Sequence, residues 1–209
     1  MQQLNKFKKL QSGFTLIEIA IVMVIIGLLL GGVLKGQEMI TNARIKNVVN
    51  DFEGISAAIF SYQDRYKALP GDDPNAVTRW GTVTEITTTG TIGDGVLSGA
   101  YTLAANTDET GNFWDHLHLS GLISGTGLTH PTVAFGGLAG VENDAFSLGG
   151  LTVCMNGIEA QHAEIIDTQL DDGVSTTGDV RGAISDTTTA VAYNVAAAPT
   201  AIFIICRSL

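Results

Sequence analysis

The stretch Lys8-Lys9-Leu10-Gln11-Ser12-Gly13-Phe14-Thr15-Leu16-Ile17-Glu18 opens an apolar run that continues to Leu34. From Phe14 to Leu34 there are 21 residues and a single charge, Glu18. As a helix rising about 1.5 Å per residue the run spans roughly 31 Å, the thickness of a bilayer's hydrocarbon core. Fifteen of these residues are Leu, Ile, Val, Met or Phe. Each strong apolar residue favours insertion by about 0.3 to 0.6 kcal/mol, against roughly 3 kcal/mol for one acid, so insertion is favoured despite Glu18. Lys6, Lys8 and Lys9 precede the run with no acid beside them. The positive-inside rule then keeps this end cytoplasmic and places the remainder across the membrane. A secretory signal peptide fits poorly, because its apolar block is only about 7 to 15 residues and a small-residue cleavage triplet should follow. Here Lys35-Gly36-Gln37-Glu38 follows instead. An ordinary anchor explains the length but not Glu18, since an acid inside a membrane segment is expensive and needs a partner.

A short basic leader, Gly13, Phe14 and then Thr15-Leu16-Ile17-Glu18 at the head of an apolar helix resemble the cleavage and methylation motif of type IV prepilins and type II secretion pseudopilins. The resemblance implies that a membrane prepilin peptidase cuts between Gly13 and Phe14 on the cytoplasmic side and that the new Phe14 amine is N-methylated. It also implies an assembly role for Glu18, whose carboxylate meets the N-terminal amine of a neighbouring subunit in an apolar filament core. Either group alone is costly to desolvate, so the pair selects one axial register. The implied partners are identical or related pilin subunits, the prepilin peptidase and methylase, an inner-membrane assembly platform, and the lipid bilayer before assembly. The implied location is a single-pass inner-membrane protein that enters an extracellular pilus or a periplasmic pseudopilus. Many such pilins carry a helix-kinking proline where this chain has Lys35. Gly27, Gly31, Gly32 and Gly36 stand nearby; local melting and close helix packing are equally open readings of them.

Beyond Leu34 the pattern becomes one-sided. Ile45, Val48, Phe52, Ile55, Ile59, Tyr62 and Tyr66 recur at alternating steps of three and four, one stripe of an amphipathic helix. Arg44, Lys46, Asp51, Glu53, Asp64 and Arg65 lie between them, and Ala68-Leu69-Pro70-Gly71 marks the stop. A helix from Phe14 to Tyr66 would measure about 80 Å. A short coiled coil is the competing reading of the stripe; packing on a strand-rich domain is favoured. The fold class expected is α+β, with a long N-terminal α-helix, membrane-spanning in its first half, packed by its second half on an antiparallel β-sheet domain. The boundaries expected are 1–13 for a cleaved leader, 14–34 for the transmembrane or filament-core helix, 35–69 for its amphipathic continuation and 70–209 for an exported β-rich domain.

Within that domain Thr82–Thr89, Thr132–Phe135, Phe146–Met155, Val191–Val195 and Ala201–Cys206 read as strands. Leu151, Val153, Val191, Tyr193, Ile202, Ile204 and Ile205 are the candidates for its inward face. Asn112 and Asn156 read as helix caps, each followed three places on by an acid, Asp115 or Glu159. Asp72 and Asp73 are expected to shape the turn after the long helix, and Gly93-Asp94-Gly95 a hairpin turn.

From Trp80 to Leu209 there are 2 basic residues, Arg181 and Arg207, against 14 acidic ones, which disfavours direct nucleic-acid binding. Cys154 and Cys206 form no zinc or iron–sulfur pattern. They can be two buried thiols or a disulfide, and the resemblance implies the bond, since many type IV pilins tie a C-terminal loop to the sheet this way. Asp167, Asp171, Asp172 and Asp179 cluster around Gly173 and Gly178. Arg181 could neutralise them; calcium could also do so, and some relatives of this type bind it in C-terminal loops, but Asp-Asp-Gly equally makes a turn and no cofactor is otherwise indicated. His116, His118, His130 and His162 sit in no catalytic signature, and the chain reads as a structural subunit rather than an enzyme. The competing functional class is a monomeric membrane-anchored surface binder.

Overall fold

The computed structural model describes residues 14–81, 91–101, 108–184 and 189–209. The leader, Gly13 included, and the predicted strand Thr82–Thr89 lie outside the described residues. The chain divides into two compact units, Met1–Asn42 and Ala43–Leu209.

A helix, α1, runs from Leu16 to Tyr66. In its first stretch every residue from Phe14 to Lys35 is exposed, Leu16, Leu28 and Leu34 among them. That surface is apolar all round rather than one-sided, and the helix is long and apolar enough to cross a membrane. From Ala43 onward the predicted stripe is buried: Ile45, Val48, Phe52, Ile55, Ile59 and Tyr62, with Tyr66 half-buried at the end. Each such side chain contributes about 1.5 to 3 kcal/mol when fully removed from water.

The stripe packs on a four-stranded antiparallel sheet. Its strands are β1 (Ala139–Asn143), β2 (Leu151–Glu159), β3 (Val180–Ile184) and β4 (Ile202–Ser208), in the order β1-β2-β4-β3. Period-2 alternation sends Val153 and Met155 of β2 and Phe203 and Ile205 of β4 into the core beneath α1. Cys154, Ile204 and Cys206 face the other way, into a smaller core capped by Ala145 and Phe146. Among the described residues the domain has three further helices, α2 (Ala76–Trp80), α3 (Glu109–Leu119) and α4 (Ala160–Leu170). Phe113, Trp114 and Leu117 of α3 and Ala163 and Ile166 of α4 join the same core as α1.

Several sequence expectations are corrected. Thr132–Phe135 is not a strand: Thr132 makes one isolated bridge to Leu138, and the Gly136 N–H turns back onto the Val133 carbonyl. Phe146–Met155 begins as a single 3-10 turn, Ala145–Ser147, and becomes strand only at Leu151. Val191–Val195 is irregular; its one ladder-like bond is Val191 N–H to the Gly182 carbonyl, before Asn194 turns the chain at φ 46°. Ile202 is 45% exposed, and Ile204 faces the second core instead of α1. Asn112 lies inside α3, whose cap position is Asp108. Asn156 caps nothing. It sits in a β-bulge with Gly157 (φ 78°), where the ladder shifts register and the Asn156 side-chain oxygen accepts the Leu138 N–H at 2.8 Å.

Candidate functional site

The head of α1 is built by two residues. Thr15 stands just before the first helical residue, Leu16, and its backbone N–H and hydroxyl both donate to Glu18 Oε2 at 2.8 Å. The Glu18 N–H returns to Thr15 Oγ1 at 3.3 Å. This is a capping box: two otherwise unpaired N–H groups at the helix start are satisfied reciprocally. It also puts a negative charge at the positive end of the helix dipole. Phe14, beside it, is 84% exposed. Sequence reasoning assigned Glu18 a partner on another subunit; it missed this internal one, although Thr followed three places on by Glu carried the signal.

At the other end of α1 a buried polar knot fixes the exit of the chain. Asp73 accepts from the Tyr62 hydroxyl at 2.8 Å, the Asn75 N–H at 2.9 Å and Arg79 Nη1 at 2.5 Å. Burial pushes the Asp73 carboxyl up, but these donors outweigh it and hold the group below its ordinary value. Burial, followed by the Asp73 hydrogen bond, pushes the Tyr62 phenol far up. Arg79 lies over Tyr66 at 4.2 Å and Trp80 at 4.9 Å from the ring centres. Asp72 accepts from Gly95 N–H at 2.8 Å and from Gly93 N–H. Asp72 and Asp73 are therefore turn-shaping acceptors. Gly93-Asp94-Gly95 is a turn anchored to Asp72, flanked by no strand among the described residues.

Cys154 and Cys206 are bonded to each other, opposite one another on neighbouring strands β2 and β4 and fully buried. The bond thus joins two strands within the sheet rather than a loop to the sheet. Closing a loop with sequence separation 52 stabilises the fold by about 4 kcal/mol on the chain-entropy account.

Asp167, Asp171 and Asp172 each bring one oxygen within 4.8 Å of the others. Asp167 is buried and accepts from the Tyr193 hydroxyl at 2.7 Å and Gly173 N–H at 3.1 Å. Asp171 accepts from Asp179 N–H at 2.5 Å and Val180 N–H at 3.3 Å. Asp172 accepts from Val174 N–H and the Thr177 hydroxyl. Asp179 joins through its backbone and not its carboxylate. Burial pushes the Asp167 carboxyl up, against the pull of the Tyr193 and Gly173 donors. The oxygens suit a hard cation in kind, yet all three carboxylates already serve as acceptors in the loop that leaves α4, which is the arrangement of a turn. Arg181 is not their counter-charge; its Nη1 donates to the Phe146 and Ser147 carbonyls at 2.9 and 3.0 Å.

The four histidines are dispersed. His116 Nδ1 accepts the Gly71 N–H at 2.9 Å, His118 Nδ1 meets the Gly127 carbonyl, His130 Nδ1 the Ala139 carbonyl, and His162 stacks on Phe135. Each is engaged locally, and they do not converge on one cleft.

Residues 8–34 match the family model of the prokaryotic N-terminal methylation motif. The span covers the end of the basic leader, the Gly13–Phe14 junction, Glu18 and the apolar start of α1. It is the prepilin-type cleavage and methylation motif of type IV pilins and pseudopilins. No curated protein and no solved structure matches the chain. The motif and the apolar helix together support membrane anchoring of a prepilin-peptidase substrate, and indicate a structural subunit rather than an enzyme.

Proposed function

We propose that the chain is a structural subunit of a type IV pilus-like filament. Prepilin peptidase cuts after Gly13, Phe14 is N-methylated, and the subunit leaves the inner membrane through its N-terminal helix. The single observation that carries this reading is the coincidence of the motif, at residues 8–34, with the part of α1 that is apolar and exposed on every side. Such a surface is stable in lipid or against like helices, so assembly exchanges one apolar environment for another. Glu18 then exchanges its internal Thr15 donors for, or shares them with, the amine of a neighbouring subunit, which makes registered packing more favourable than lateral mixing.

A pseudopilin of type II secretion carries the same motif. The pilus is preferred because the domain that follows is large for a major pseudopilin. Mass spectrometry of the native N-terminus tests the reading: methyl-Phe14 is the expected result, and an intact Met1 would replace it with a monomeric surface anchor. Imaging sheared extracellular fibres for this polypeptide separates pilus from periplasmic pseudopilus.

A further inference from the structure

Beside the second half of α1 lies a groove of about 360 Å³, a size that small-ligand sites share. Ile55 of α1, Val133, and Met155 of β2 are buried and form its apolar floor; Leu122 and Ile123, half-buried, stand in its walls. Water suits such a floor poorly, because a buried water needs about two to four polar partners. Among the described residues that line the groove, Asp51 is the one ionisable group. No cation pairs with it among the described residues. Its neighbours one turn away on α1 are Asn47, Val48, Gly54 and Ile55, none of them charged. Partial burial pushes the Asp51 carboxyl up. Gly54, exposed, lines the groove as well. A helix interior disfavours glycine, and the fold does not require one here, because a Cβ built at this position meets nothing within 4 Å. What the glycine does is leave the opening beside Asp51 uncovered.

We propose that this groove binds a small organic monoammonium ion, with its apolar body on Ile55, Val133 and Met155 and its head group against the Asp51 carboxylate. The charge follows from an acid that lacks a cation, since an ammonium placed there makes a charge-assisted hydrogen bond. One acid matches one positive charge; a polyamine would leave its other charges unpaired over apolar side chains. A primary ammonium is favoured over a quaternary one. Quaternary heads are held by aromatic faces, and no aromatic residue is among the described residues that line the groove. Asn50, Ser124 and Thr132 do line it, and their side-chain oxygens can accept the N–H groups that Asp51 leaves. The groove lies wholly within the unit Ala43–Leu209, and the proposal does not depend on whether the chain polymerises.

The test uses the full-length chain in nanodiscs of zwitterionic lipid, with carbon-13 methyl-labelled methionine and phenethylammonium as the probe. Met155 lines the groove, whereas Met23 and Met39 lie on the exposed part of α1. The Met155 methyl resonance, assigned through Met155→Leu, is expected to move saturably with a Kd on the order of 1 mM, while those of Met23 and Met39 stay in place. Phenethyl alcohol and phenylpropionate should bind at least about tenfold more weakly, and Asp51→Asn should weaken the ammonium about tenfold. Gly54→Leu adds a side chain in open space and favours the helix; it should weaken binding several-fold with no fall in the thermal midpoint. An alcohol that binds as tightly as the ammonium, or an Asp51→Asn chain that binds as the parent does, overturns the charged head group. Movement of all three methionines together shows partition into the bilayer alone and overturns the site. A Met155 resonance that ignores the probe overturns it as well, and if that resonance instead differs between discs of one and two chains, the occupant is a second copy.

Discussion

His116 shows how one ring can set the acid limit of the domain. Its Nδ1 accepts the Gly71 N–H where the chain leaves α1, and its Nε2 is buried without a partner among the described residues. Burial pushes it down to about 4; Arg79 adds to the shift, and Asp73 opposes it. The folded value lies below the unfolded one, so the unfolded state binds the proton first. Stability therefore falls as pH drops from about 6.5 to about 4, by an amount approaching 3 kcal/mol. Thermal melting across that range is expected to lose this slope in His116→Gln, which keeps an acceptor for Gly71. Glu109 and Asp167 are shifted up by burial. They act in the opposite sense, favouring the folded form on acidification, so the difference between variant and parent isolates the histidine. At the head of α1, Thr15→Val removes the hydroxyl donor to Glu18 and should weaken the cap by about 1 kcal/mol. Subunit recovered in sheared fibres should drop several-fold while methyl-Phe14 persists in the membrane fraction.

Among the elements, the sheet owes its permanence to the bond between β2 and β4. Replacing both Cys154 and Cys206 by Ala should lower unfolding stability by about 2 to 5 kcal/mol, read from denaturant midpoints. The loop after α4 gives a contrasting expectation. Since Asp167, Asp171 and Asp172 are already held by N–H and O–H donors, melting in chelator and in millimolar calcium should coincide; a rise of several degrees with calcium would show a bound ion. The long helix, its stop and its buried stripe were legible because the apolar period from Ile45 to Tyr66 and the turn at Pro70 agree. Strands β1 and β3 were not. Ala139-Gly140-Val141 and Val180-Arg181-Gly182 have little intrinsic strand character, and each keeps a glycine because another segment presses on it. A Cβ on Gly140 would meet the Tyr101 carbonyl at 2.4 Å, and one on Gly182 the Tyr193 ring at 2.8 Å. Such strands are specified by their ladder partners. Asn156-Gly157 failed for a related reason: the same two residues serve a cap or a bulge, and only the pairing of β2 with β4 decides between them.

The apolar half of α1 and the acidic domain impose separate requirements on the protein. Glu18→Ala should still insert and be cut after Gly13, since the apolar run is strengthened, yet fail to accumulate in fibres, as judged by immunoblotting sheared material against membranes. Gly13→Val should leave the leader attached. The motif was legible end to end in residues 8–34 because its chemistry is local. The internal donors of Glu18 were also written there, in the spacing of Thr15 and Glu18, whereas the within-sheet placement of the disulfide depends on backbone geometry that residue types alone do not fix. That placement has a mechanical corollary. When tension reaches the domain through α1, the last strand cannot peel from its neighbour, and the segment enclosed by Cys154 and Cys206 stays reefed. About 170 to 190 Å of contour length is thereby withheld from extension, so a single domain pulled at its ends should lengthen by that much more once a reductant opens the bond.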